Sequence, residues 1–107
     1  SNFAHYTKVG NQVTISCVVY SFSDRSSTNG VGIQNLPFTS SSTARSTGSV
    51  MIRNSDNTTI TASYITSSSN TVEFYGVTTG FWDQLKHNDL NSTDSELYFN
   101  ITYRTDA

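Results

Sequence analysis

The chain is short of charge, proline, cysteine and long apolar runs, and each shortage closes off a class of protein. Charged residues make up only 13% of the 107 positions and hydrophobic ones 35%, both below the usual share. The six cations are scattered from Lys8 to Arg104 and the formal net charge is −2. No basic stripe is available to neutralise phosphates, which excludes nucleic acid as a partner. The longest apolar stretch, Cys17-Val18-Val19-Tyr20, is far below the roughly 20 residues a membrane-spanning helix needs, so membrane insertion is excluded as well. A lone cysteine, Cys17, rules out an internal disulfide, and its place among Val and Ile reads as a small buried hydrophobe. Small extracellular domains are often stapled by disulfides. Their lack here fits folding in a reducing cytoplasm, and no signal peptide is visible.

What fills the chain instead is hydroxyl: 18 Ser and 16 Thr. Such a composition suggests disorder until the 6 Phe, 6 Tyr and 1 Trp are placed, because they sit inside alternating runs. Phe3 to Val9 reads as a strand, and Gly10-Asn11 as a tight turn. Gln12 to Phe22 is the clearest strand. Val13, Ile15, Cys17 and Val19 point one way, and Val18, Tyr20 and Phe22 the other. Further strands are expected at Val31–Gln34, Gly48–Arg53, Thr58–Thr66, Thr71–Val77 and Ser95–Arg104. In Thr58–Thr66 Ile60, Ala62 and Tyr64 form the apolar set. Thr39–Thr47 reads as a long surface loop, and Pro37, the only proline, as a strand exit. Phe81, Trp82 and Leu85 share helical spacing, so Phe81–Leu90 is the one segment with a helical option. Seven or eight strands about ten residues apart predict one all-β domain, an antiparallel sandwich or jelly roll over residues 1–107.

The usual catalytic patterns are missing. Asp56, Asp83, Asp89, Asp94 and Glu96 show no spacing that forces two carboxyls across a cleft. The only histidines, His5 and His87, lack a Gly-x-Ser-x-Gly elbow to serve. Two His and one Cys, far apart, make no metal motif, and no glycine-rich loop opens a helix for phosphate. Three Asn-x-Ser/Thr sequons, at Asn57, Asn91 and Asn100, match the about three expected by chance from 10 Asn in so hydroxyl-rich a chain. The expectation is a non-enzyme without metal or cofactor.

Recognition by aromatics and amides is the remaining chemistry. Sugars stack their C–H faces on aromatic rings while carboxylates, amides and guanidinium groups take the hydroxyls. Trp82, Asp83, Asn88 and Asp89 have that composition in one segment, and Arg53 and Tyr75 add to the candidates. Against this stands the reading that Phe81 and Trp82 plug one end of a sandwich. The two-faced strand likewise has two readings. Val18, Tyr20 and Phe22 form a subunit interface, or they pack beneath the Thr39–Thr47 loop.

Three motifs, in order along the chain, resemble the C-terminal head or tip domains of phage tail fibres and tailspikes, which also occur in fibres of large algal viruses. They are Tyr6-Thr7-Lys8-Val9-Gly10-Asn11-Gln12-Val13-Thr14-Ile15-Ser16, then Ile33-Gln34-Asn35-Leu36-Pro37-Phe38, and then Asp89-Leu90-Asn91-Ser92-Thr93 through Ile101-Thr102-Tyr103-Arg104-Thr105. Asn35 stands where glycine is common in the second motif. The resemblance implies a β-sandwich at the distal end of a longer virion fibre, assembled in the host cytoplasm as a homotrimer. It implies receptor binding, here to a host-surface glycan, or a structural cap that nucleates the trimer without touching a receptor. A stand-alone carbohydrate-binding module is a third option. The shared motifs carry no binding residues.

Overall fold

The computed structural model describes residues 2–107 and is all-β. Its strands are β1 (Phe3–Val9), β2 (Gln12–Val19), β3 (Gly32–Ile33), β4 (Ser46–Arg53), β5 (Ile60–Ile65), β6 (Val72–Thr78), β7 (Phe81–Gln84) and β8 (Glu96–Arg104). The only helical element among the described residues is a 3-10 turn, His87–Asp89. The segment with helical spacing therefore begins as a strand. Thr79 and Gly80 both take positive φ, 50° and 84°, as a two-residue hairpin turn requires, and this sets Phe81 opposite Thr78. Gly10, at φ 59°, closes the first hairpin as read from sequence, with Val9 opposite Gln12.

All eight strands join one antiparallel sheet in the order β1-β2-β8-β4-β5-β6-β3, with β7 beside β3 along the same side of β6. The all-β antiparallel fold is as expected, with eight strands. The sheet is folded at β4, and the register shows why. The C-terminal half of β4 pairs with β8 (Ser49–Arg53 against Asn100–Glu96), and its N-terminal half pairs with β5 (Ser46–Ser49 against Ile65–Ala62). Only Ser49 belongs to both ladders. A strand that changes partners in mid-course makes a corner, and Gly48 marks it. A Cβ added at Gly48 would lie 2.0 Å from the Asn100 carbonyl oxygen and 2.8 Å from Ile101 Cα. The Asn100 carbonyl accepts the Ser63 hydroxyl of β5 at 3.1 Å. The fold brings β6 back over β8, so that Phe74 and Phe99 meet edge to face with centroids 5.2 Å apart.

The inner face so enclosed is the core: Val13, Ile15, Cys17 and Val19 from β2, Leu97, Phe99, Ile101 and Tyr103 from β8, and Ile65, Val72 and Phe74 from β5 and β6. Val31, Leu85 and Leu90 close it from the connections, with Phe22, Ile33, Leu36 and Phe38 packed alongside. Cys17 is buried, and desolvation raises its thiol pKa. Three expectations change here. Phe22 packs against this core and not on an outer face, because β2 ends at Val19 and alternation stops there. A bulge between Ile60 and Ala62 reverses the alternation of β5, so Ser63 and Ile65 point inward while Ala62 and Tyr64 point out. The Thr39–Thr47 stretch is not a simple surface loop. Ser40 and Ser41 are buried, the Tyr103 and Thr105 hydroxyls donate to the Phe38 and Thr39 carbonyls at 2.6 and 2.7 Å, and Ser46 and Thr47 already belong to β4. Every buried side-chain N or O among the described residues has a hydrogen-bond partner.

Candidate functional site

The outer face of an antiparallel sheet that meets water is normally polar. Here it carries aromatics on both sides of the corner, and three of them meet on the β5-β6-β7 side. Register places Tyr64 and Ala62 on β5 beside Glu73 and Tyr75 on β6, and Tyr75 and Val77 beside Gln84 and Trp82 on β7. The three large rings touch one another, with centroids 5.7 Å (Tyr64–Tyr75), 5.4 Å (Tyr64–Trp82) and 5.6 Å (Tyr75–Trp82) apart. They border an open depression of ≈ 160 Å³, completed by Ala62, Val77, Thr47 and Thr61. This lies well below the about 300–1,000 Å³ of enclosing ligand pockets. It suits a flat group laid on the rings, not one engulfed by them.

Trp82 is 64% exposed although two tyrosines buttress it. Phe81, on the other face of the same strand, is 76% exposed, so neither residue plugs an end of the fold. Polar groups are fixed at the border of the rings. Glu73 accepts the Tyr75 hydroxyl at 3.4 Å and the Gln84 amide at 3.0 Å. The Tyr75 phenol pKa is raised, first by desolvation and then by the Glu73 charge, which keeps it neutral and a donor.

The six candidate residues read from sequence therefore divide. Trp82 and Tyr75 meet in the depression. Asp83 alternates to the opposite face of β7, where its carboxylate accepts Thr59 Oγ1 at 3.0 Å, Asn57 Nδ2 at 3.1 Å and Thr78 Oγ1 at 3.3 Å. The Thr59 and Asn57 bonds, in that order, lower its pKa. Asp89 takes the Lys86 amide at 2.9 Å and so caps the 3-10 turn. Asn88 is exposed, with its backbone amide bonded to the Ser27 carbonyl at 2.9 Å. Arg53 lies on the outer face across the corner, paired with Glu96 at 2.7 Å. Both acids and Asn88 thus serve loop structure. His87 is bound through Nδ1 to the Asp24 carbonyl at 3.0 Å, and His5 lies exposed on the outer side of β1 beside Ser16.

Tyr64 is the partner that sequence reading misses. Alternation puts it in the apolar set of its strand, and only the bulge turns it outward. A second, polar depression of ≈ 470 Å³ lies among Asn54, Ser55, Asn57, Thr58 and Asn91. Its Asn57 and Asn91 amides are already committed to Asp83 and Asp56, which leaves them little to offer a ligand. No family model, no curated protein and no solved structure matches this chain.

Proposed function

We propose that this chain is a non-enzymatic adhesion domain, the homotrimeric receptor-binding tip of a viral tail fibre, which holds a host-surface glycan on Tyr64, Tyr75 and Trp82. The observation that carries the reading is the exposed, buttressed three-ring depression, with Thr47 and Thr61 at its edge. A pyranose offers the flat C–H face and the ring of hydroxyls that such a surface takes. The fibre-tip part rests on the three ordered motifs. Asn35, where glycine is common, has a φ of 59°, the left-handed region that glycine and asparagine share. The folded sheet, with β6 packed over β8, is read as the one-sheet form of the sandwich that goes with those motifs. A structural cap is the second reading, favoured by the apolar row on the β1-β2-β8-β4 half of the outer face.

Titration of the purified domain against host-surface glycans tests the proposal. Trp82→Ala is expected to weaken binding about 30-fold or more, the scale of an interface hot spot. Phe81→Ala, on the opposite face of β7, is expected to leave it unchanged. Equal binding by wild type and Trp82→Ala removes the glycan site, and binding to no host glycan favours the cap.

A further inference from the structure

We infer that the outer face of the β1-β2-β8-β4 half-sheet is the surface on which copies of this chain pack against one another. The inference rests on the trimeric reading above and assigns it a place. Phe3, Val18, Tyr98 and Met51 stand directly opposite one another on four adjacent strands, in one unbroken row. Met51 is 66% and Phe3 48% exposed, and Tyr20 joins the row by packing on both Phe3 and Tyr98. Sheet faces directed at water do not align four large apolar groups in this way.

Charge identifies the occupant. The next two rows outward, from His5 across to Ser49 and from Thr7 across to Thr102, hold no Asp, Glu, Lys or Arg. Arg53 and Glu96 at one end neutralise each other, and Arg104 lies at the other end. Nothing here steers a charged partner, and nothing opposes a like surface. Four strands at about 4.8 Å and eight residues at about 3.3 Å make a patch of about 19 × 26 Å, or about 500 Å² before side-chain relief is counted. This is most of the roughly 800 Å² that each side of a standard interface buries. The free edge of β1 adjoins the row: six of its seven residues are exposed, and it has neither the proline nor the bulge that guards natural edges. Its one charge, Lys8, is folded toward the Phe38 ring at 5.3 Å. A face and an adjoining edge give each copy the two different patches that a closed threefold ring demands.

Light scattering and sedimentation of the 107-residue chain, with Met51→Glu, Phe3→Glu and Phe81→Glu, provide the test. Wild type is expected at three copies of 11.8 kDa. Met51→Glu and Phe3→Glu should each raise the assembly midpoint about tenfold or more, with unchanged circular dichroism, while Phe81→Glu leaves it in place. Both positions are well exposed, so the folded monomer tolerates them. A trimer indifferent to both substitutions overturns the assignment of the face and leaves the trimer standing. A dimer sensitive to them keeps the face and removes the trimer. A wild-type monomer at high concentration removes both.

Discussion

Replacing Gly48 with alanine should be among the most damaging single-methyl changes available in this protein. An alanine in place of glycine ordinarily stabilises by about 0.4–1 kcal/mol where the backbone tolerates it, through the unfolded chain. At Gly48 the backbone needs no positive φ, so conformation raises no objection. Space does. The new carbon would sit 2.0 Å from the Asn100 oxygen, 2.7 Å from Ser63 Oγ and 2.8 Å from Ile101 Cα. Two of these three atoms are backbone in the middle of β8, and a rotamer change cannot move them. β8 must shift by more than about 1 Å or β4 must leave it, and overpacking of this kind costs about 1–3 kcal/mol. Losing the Ser63–Asn100 bond strands a carbonyl at the corner and adds about 1–3 kcal/mol. The sum, about 2–6 kcal/mol, is a large part of the 5–15 kcal/mol that holds a domain together. In urea unfolding it should lower the midpoint by about 1 M or more, and in thermal unfolding by about 8 °C or more. Gly10→Ala is the companion. Its φ of 59° imposes strain of about 1 kcal/mol, but no atom lies within 4 Å. If Gly48→Ala is the milder of the two, or stabilises, the corner is not where the fold places it.

Two titrations follow from the hydrogen bonds. The Tyr98 phenol is pushed up to about 12, first by the bond it donates to Glu96. Its neutral form is the one the fold favours, so this stabilisation is complete below the ordinary tyrosine value of about 10 and disappears as pH rises through about 12. Ultraviolet phenolate titration should show the late midpoint, and Glu96→Gln should bring it down; an unmoved midpoint contradicts the assigned cause. Asp24 runs the other way: the Ser27 hydroxyl and the Ser26 and Ser27 amides hold it down to about 2. Its contribution is present above the unfolded value of 3.8 and is lost as pH falls through about 2. Carboxyl carbon shifts followed by NMR should report that midpoint, rising in Ser27→Ala, whereas a wild-type value near 3.8 would mean the loop is not closed over Asp24.

Period-2 alternation is a local property, and it locates β1, β6 and β8 to within one residue at each end, and β2 at its start but not its end. It failed wherever a strand stopped or slipped. Alternation carried past Val19 placed Phe22 with Val18 and Tyr20, because nothing in the pattern marks the residue at which the chain leaves the sheet. In β5 the alternation is present in the sequence but the bulge inverts it, so Tyr64 of the apolar set faces out and Ser63 faces in. The Trp82 hairpin was misjudged for a different reason. Thr79-Gly80 is an unusual pair for a turn with two positive φ values, and Phe81, Trp82 and Leu85 happen to match a helical face as well. The corner at β4 leaves only one trace in the sequence, a glycine in mid-strand. Which strand presses on it is a long-range fact, since β8 lies about half the chain away.

The corner also accounts for the amount of aromatic surface left outside. In a two-sheet sandwich each sheet covers one face of the other, and the outer faces are made polar. Here one sheet of eight strands covers its own inner face by folding at Gly48, helped by Leu85, Leu90 and the Val31–Phe38 segment. The same fold divides the outer face into two panels that look in different directions. One panel carries the Tyr64–Tyr75–Trp82 depression and the other the Phe3–Val18–Tyr98–Met51 row. Packing copies together through one panel therefore need not cover the other. Strands β5 to β7 can face a receptor while β1, β2 and β8 face neighbouring subunits, and a substitution that breaks the trimer should spare the ring platform. On the proposed function, assembly and adhesion are then separable by mutation, because one bend in one strand sets the row and the ring depression apart.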